Sequence, residues 1–268
     1  SKSSAKLEIK INGESVKKRS DLVLKTPATI INAASFDLLS GPPSLRRSFI
    51  DWCLFHVEHE YVTHYGHYKH ALKQRNAILK SRTNLNMIDY WDNYLVTPSI
   101  AIHELRLKYS TLISSMLNNE LVNLLADVKL KFEYEQGWPL GETLNQSLIN
   151  SKQRDIKTGF TNVGIHRDNI SLTTNGKPIG QVLSRGQLKR VCVALQIILL
   201  TIVKKETNKS IILLVDDISS ELDKNSQTLV FNHLIELGVQ LFITNIEKVI
   251  PQPLKNKEFK MFHVEHGI

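Results

Sequence analysis

The chain has 268 residues, 42% of them hydrophobic and 22% charged, which suffices to bury a sizeable core in one or two domains. Its start, Ser1-Lys2-Ser3-Ser4, has no apolar signal region behind it, and no apolar run reaches the roughly 18 residues of a membrane span. Secretion and membrane insertion are therefore not expected, and the cytoplasm is the expected compartment. The formal net charge of +8 favours a polyanionic partner, because Lys and Arg clusters gain affinity for phosphate backbones by releasing counterions, although charge alone does not single out nucleic acid. Two cysteines, Cys53 and Cys192, both in apolar helical patterns, point to a reducing environment and to no zinc knuckle.

In chain order, Leu7, Ile9 and Ile11 alternate ahead of the turn pair Asn12-Gly13, with Val16 on the return, so residues 5 to 18 read as a β-hairpin. Ala28 to Ile31 reads as a short strand. From Ser44 to about Val128 the period is helical: Leu45, Phe49 and Cys53 form one stripe, Tyr61, Tyr65, Tyr68 and Leu72 another, and a third stretch is expected to break near Pro98. Beyond Gly137-Trp138-Pro139 the pattern predicts a helix to about Arg154, a strand over Asn169–Thr173 and a turn at Asn175-Gly176. It then predicts a helix over Gln187–Val203, a strand over Ile211–Val215, a helix over Glu221–Leu237 closed by Gly238, and a strand over Val239–Thr244. Helix and strand in alternation argue for a parallel α/β sheet, and Leu213-Leu214-Val215 is apolar on both faces, as a covered central strand should be. The expected organisation is an α/β lobe from residues 1–43 and 136–268, with a helical block at 44–135 inserted.

Two segments carry chemistry. At Ser184-Arg185-Gly186-Gln187-Leu188-Lys189-Arg190, three cations crowd a helix amino end where the macrodipole is already positive, an arrangement that calls for a nearby anion. Ser184 offers a hydroxyl, Gly186 allows close approach, and free backbone N–H groups complete a phosphate site. The plainer alternative is a serine N-cap with solvated basic residues. The second segment is the buried strand running into Asp216-Asp217, at the strand end where open α/β sheets bind ligands. Hard oxygen ligands there suit Mg²⁺ on a nucleotide, with Asp216 holding the metal and Asp217 orienting an attacking water. Ser220-Glu221-Leu222-Asp223 is expected to cap the next helix through Ser220, with Asp223 closing a capping box. None of the twelve glycines opens Gly-Lys-Ser or Gly-Lys-Thr, so the sequence contains no phosphate-cradling loop motif.

Five stretches in order carry a family resemblance: Leu39-x-Gly41-x-Pro43-x-x-Arg46-Arg47-x-Phe49-x-Asp51; Gln74-Arg75-Asn76-x-x-Leu79; Gly159-x-Thr161-x-x-Gly164-x-His166-Arg167-Asp168; Ser184-x-Gly186-Gln187; and Asp216-Asp217-x-x-Ser220-Glu221-Leu222-Asp223. Over nearly its whole length the chain resembles the RecF family, bacterial recombination mediators of the ABC-type ATPase class. The resemblance implies an α/β P-loop NTPase fold of the ABC-ATPase head type, incomplete at the amino terminus, with a helical second domain. It implies ATP and Mg²⁺ as cofactors and an ATP-dependent homodimer. One head would supply the acidic pair, and the other would supply Ser184, Gly186 and Gln187, with Ser220 and Asp223 beside the nucleotide. It further implies binding to single-stranded, double-stranded or gapped DNA, with RecR and RecO as partners. Arg46, Arg47 and Arg167 are the candidate DNA-phosphate contacts, with buried ion-pair roles as the alternative. Departures from the family pattern are Ile165 in place of proline, Asn169 in place of a second aspartate, and Thr29 where related enzymes carry a glutamine. The absent phosphate loop suggests a fragment or shortened product, expected to bind ATP weakly or not at all on its own. A non-catalytic DNA- or partner-binding remnant is the alternative function, and a transporter subunit or SMC-type head fits less well because no long heptad segment is present.

Two features stand outside these motifs. His56, His59, His64, His67 and His70 cluster without cysteines or an acidic triad and read as surface histidines rather than a metal site. Phe55-His56-Val57-Glu58-His59 recurs identically as Phe262-His263-Val264-Glu265-His266, with no repeat architecture around either copy.

Overall fold

A computed structural model of the chain describes residues 9–11, 13–16, 19–125, 128–245 and 250–263. Leu7 and Asn12 of the expected hairpin, and the second repeated stem from Val264 on, lie outside the described residues. The hairpin pairs β1 (Ile9–Ile11) with β2 (Glu14–Val16) and is followed by α1 (Arg19–Lys25). β3 (Ala28–Ile31) leads through a 3-10 turn capped by Asn32 into α2 (Asp37–Ser40). The helical block consists of α3 (Pro43–Val57), α4 (Tyr61–Ser81) and α5 (Ile88–Leu124). Next come β4 (Lys131–Glu135), α6 (Leu144–Thr158), β5 (Asn169–Thr174) and β6 (Lys177–Pro178). The chain then alternates through α7 (Arg185–Thr207), β7 (Ile212–Asp216), α8 (Ile218–Glu221), α9 (Lys224–Glu236) and β8 (Gln240–Thr244).

The alternating part builds the expected parallel sheet, in the order β3-β7-β8 with β7 central. Leu213 and Val215 belong to the same buried core as α7. The other face differs from expectation. Ile30, Leu214 and Phe242 stand side by side in register, exposed at 42%, 41% and 53%, so among the described residues nothing covers that side. Helix α7 also corrects the sequence reading, since by length and composition it is apolar enough to cross a membrane. It is instead a core helix, with an unbroken run from Val191 to Leu195 and another from Ile197 to Val203 buried in the protein. An α-helix that is apolar all round belongs in such a position.

Two further differences concern the middle of the chain. Helix α5 does not break at Pro98 but runs through it, 37 residues in all. The proline is buried, and packing against α4, α7 and β4 outweighs a local cost of about 3 kcal/mol. Strand β4 was not anticipated. It pairs antiparallel with β5, placing Phe132 opposite Leu172, and β5 turns into β6 through Asn175-Gly176, both with positive φ, as a tight two-residue hairpin requires.

Two buried arginines join these parts. Arg75 of α4 donates to Asp92 of α5 (2.5 Å), Asp155 of α6 (2.7 Å) and Thr161 Oγ1 (2.9 Å). Arg106 of α5 grips both carboxylate oxygens of Asp51 in α3 (2.9 and 2.8 Å). Its Nη1 reaches Asp168 Oδ2 (2.8 Å) and the Ile165 carbonyl (2.7 Å). Tyr134 of β4 and the Gly137 amide also donate to Asp168. Gly137 is required there because a Cβ would lie 2.1 Å from the Gly164 carbonyl oxygen. Burial alone would lower the Arg106 pKa, but Asp51 and Asp168 outweigh it and hold the guanidinium charged.

Replacing Arg106 with Met leaves Asp51 and Asp168 without their cation and is expected to cost about 3–5 kcal/mol in urea unfolding. Lys152→Met, which removes the rim ion pair to Asp89, is expected to cost less than about 1 kcal/mol in the same measurement. His56 of α3 is buried at 3% exposure with neither ring nitrogen hydrogen-bonded, and burial together with Lys209 pulls its pKa from 6.5 to about 4. The unfolded chain takes up this proton below pH 6.5 while the folded chain does not, so stability is expected to fall as pH drops from 6.5 to about 4. His56→Leu is expected to flatten part of that decline in thermal melts across the same range.

Candidate functional site

Asp216 ends the central strand and Asp217 follows in the left-handed region (φ 45°), a conformation aspartate tolerates better than a β-branched residue. Across the sheet, Thr244 sits opposite Asp216 at the end of β8. Its hydroxyl donates to Asp216 Oδ1 (2.5 Å) and accepts from the Asp217 amide (3.3 Å), whose N–H also approaches the Thr244 carbonyl (3.2 Å). Thr244 was not singled out in the sequence, although a hydroxyl closing the apolar run Leu241-Phe242-Ile243 is the signal that marks it. Asp216 is exposed, so one carboxylate is open to a hydrated divalent cation. Among the described residues no three His, Cys, Asp or Glu side chains converge as a full metal cage. A nucleotide-bound Mg²⁺ asks for less, one or two carboxylates with phosphate oxygens completing its shell. The acidic pair therefore fits the metal side of such a site, whereas a phosphate-cradling loop has no counterpart in the sequence.

The turn after the acids differs from expectation. Instead of one helix capped by Ser220, the chain makes the single turn α8, breaks at Leu222 in an extended conformation and restarts as α9. Ser220 lies inside α8, where its side chain is outside those described, and Asp223 is the N-cap. Its carboxylate accepts from the Ser226 amide (2.9 Å) and hydroxyl (2.8 Å), and these bonds, with Arg190 adding to them, lower its pKa. The extended backbone at Leu222 buries that leucine, and this burial breaks a pattern that local propensity alone reads as one helix.

At the start of α7, Ser184 and Gln187 form a reciprocal capping box: Ser184 Oγ accepts from the Gln187 amide and Gln187 Oε1 accepts from the Ser184 amide. Two of the three cations find anions within the chain. Lys189 pairs with Glu221 of α8 and lies 5.5 Å from the Phe36 ring centroid, and Arg190 approaches Asp223 at 4.0 Å. Ser184, Arg185 and Gly186 remain exposed, and a Cβ on Gly186 would meet nothing within 4 Å. Gly186 costs helix stability, about 1 kcal/mol relative to alanine, without any steric demand from its own chain. The serine motif and the α8–α9 turn thus form one connected surface.

No family model matches the chain. It is 36% identical over 266 residues to the DNA replication and repair protein RecF of Pseudoalteromonas atlantica, covering 97% of this chain and 73% of that protein. To the protein of the same description from Shewanella woodyi it is 36% identical over 265 residues, covering 98% and 73%. The chain belongs to the RecF family. Its fold is similar to the solved structure of the recombination mediator protein RecF with ATP in the RecFOR pathway, with a TM-score of 0.80 over 91% of this chain and 68% of that one at 23% identity. The structure of the same mediator with ATPγS gives a TM-score of 0.78. The architecture is thereby the fold of that solved RecF, an α/β arrangement with a helical block.

The remaining family motifs lie mostly in the buried joints. Asp51, Arg75 and Asp168 are the charged centres described above, and Asn76 accepts from the amide and hydroxyl of Thr161. Arg46 donates to Asn169 Oδ1 (3.2 and 2.9 Å) and the Gly41 carbonyl (2.9 Å), and Arg47 donates to the Asp168 carbonyl (2.6 Å). Asn169 takes the Arg46 bonds as a neutral acceptor, and Ile165 is fully buried with its carbonyl held by Arg106. Arg167 is exposed beside the Phe160 ring, with a long contact to the Thr161 carbonyl (3.4 Å). Of the five clustered histidines, His56 is buried, His64 lies near Glu60, and His70 stands edge-on to Trp91.

Ser184→Ala removes the cap and is expected to speed hydrogen exchange at the Gln187 amide, with a local cost of about 1 kcal/mol. Ser184→Asp, which keeps an acceptor, is expected to preserve the protection.

Proposed function

We propose that the protein is a RecF-type recombination mediator. In this reading it binds single-stranded, double-stranded or gapped DNA as an ATP-clamped homodimer and works with RecR and RecO to load recombinase at gaps and stalled forks. The observation that carries it is the exposed, capped start of α7 with a glycine that its own chain does not require. Such a surface suits the phosphates of a nucleotide held by a second head, where Ser184 would offer its hydroxyl proton, Gly186 space and a backbone N–H, and Gln187 would hold the cap that presents them. Ser220 and Asp223 lie on the adjoining turn and are assigned to the same interface. Asp216 is assigned to Mg²⁺, with Thr244 orienting it, and Asp217 to the attacking water. Bound Mg²⁺ would neutralise phosphate charge. Arg167 is the best placed of the three arginine candidates for DNA phosphate, because Arg46 and Arg47 already hold intrachain acceptors. Residues 44–135, apart from strand β4 at their end, are read as the helical second domain of the head.

The second reading is a non-catalytic DNA- or partner-binding form, favoured by the lack of a phosphate-loop motif in these 268 residues. Sedimentation of the chain mixed with an ATP-loaded RecF protein separates the two. The clamp reading expects an ATP-dependent mixed dimer that Ser184→Arg abolishes while the chain stays folded, its circular-dichroism melt lowered by no more than the lost cap of about 1 kcal/mol. A Ser184→Arg chain that still dimerises with ATP, or a parent chain that never does, would contradict the clamp.

A further inference from the structure

Helix α4 contains no Asp or Glu over its 21 residues. Lys69, Lys73 and Lys80 lie at i, i+4 and i+11, one exposed stripe along it. Within residues 61–100 the only carboxylates are Asp89, paired with Lys152, and Asp92, buried on Arg75. Among the described residues no ion pair engages Lys69, Lys73 or Lys80, so the stripe presents net positive charge, with Lys69 Nζ 5.7 Å from the Tyr65 ring centroid. Helix α5, which packs against α4, contributes an open group of rings. Tyr90 and Tyr94 are exposed at 45% and 56%, with ring centroids 4.8 Å apart, and Trp91 lies 5.2 and 5.8 Å from them. His70 of α4 completes the group at 5.6 Å from Trp91, one helical turn from Lys73. The rings meet edge-on or tilted, between 43° and 88°, so no two of them are stacked face to face.

We infer that the α4–α5 hairpin is a binding surface for single-stranded DNA, the lysines tracking the backbone and Tyr90, Trp91 and Tyr94 stacking on unpaired bases. Lysines alone would serve a duplex equally well, whereas exposed rings gain only from bases that are out of a duplex. An acidic peptide would use the charge but not require ring faces. The inference rests on the proposed DNA-binding function and assigns it a second contact surface, apart from the serine motif and Arg167.

The test is fluorescence anisotropy of a labelled oligothymidine strand and of an abasic strand of equal length, with tryptophan quenching as a second signal. Parent chain is expected to bind oligothymidine more tightly than the abasic strand. Tyr90→Ala/Tyr94→Ala is expected to weaken oligothymidine binding about tenfold or more and to leave abasic binding unchanged. Lys69→Glu/Lys73→Glu is expected to weaken both and to reduce the salt slope by about 1.4. All four side chains are exposed, and an unchanged melt confirms the fold. If the parent binds the strand and the tyrosine variant binds it equally well, this inference fails while the DNA-binding function stands. If the parent binds no single strand, this inference fails, while binding of duplex or gapped DNA by the ATP-clamped dimer stays a separate question for the DNA-binding function. Loss of self-association in the tyrosine variant with DNA binding unchanged assigns the surface to a second copy of the chain and overturns the inference.

Discussion

The buried contact of Arg106 with Asp51 and Asp168 is the constraint on which the rest of the arrangement depends. One guanidinium in α5 reaches α3 on one side and the segment before β5 on the other, while Tyr134 and Gly137 secure Asp168 from β4 and its following turn. Desolvating three charges is costly, and the geometry offsets that cost by meeting both oxygens of Asp51 and three donors at Asp168. Arg75 repeats the device a few turns away, joining α4, α5 and α6. The helical block is therefore bound to the antiparallel sheet by directional contacts as well as by apolar area, and directional contacts fix the register in which the elements meet.

That register bears on the site. Helices α3 and α5 pack on α7, whose amino end carries the serine motif, and α7 in turn meets α8 and α9 through Lys189–Glu221 and Arg190–Asp223. The exposed end of α7 and the turn after the acidic pair are consequently held side by side. The three cations at the helix start, which by the macrodipole alone would be unfavourable, are partly compensated from within the fold. What stays open at Ser184 and Gly186 is backbone and hydroxyl, the groups suited to a phosphate.

Much of this was legible in the sequence where local pattern and tertiary role agree. The all-apolar stretch of α7, the strand ending in Asp216-Asp217 and the Asn175-Gly176 turn follow from periodicity and turn chemistry. Where they disagree, the reading missed. Pro98 is tolerated because α5 is packed on several sides, Leu222 is extended because its burial outweighs helix propensity, and Lys131-Phe132-Glu133-Tyr134-Glu135 becomes a strand because β5 offers it a partner. Arg106 carries no motif around it, so its importance emerges only when Asp51 and Asp168, 117 positions apart, are seen on one guanidinium. Thr244 closes an apolar run in the sequence, but only the sheet register shows that it meets Asp216.

If the arginine contacts bind the helical block and the antiparallel sheet into one cooperative unit, the two should open together. Native-state hydrogen exchange across a denaturant series measures this directly, amide by amide. Amides in the middle of α4 and α5 and those of β4 and β5 are expected to converge on a single opening free energy equal to that of global unfolding. A helical block that exchanges through its own opening, well below the sheet, would contradict the account.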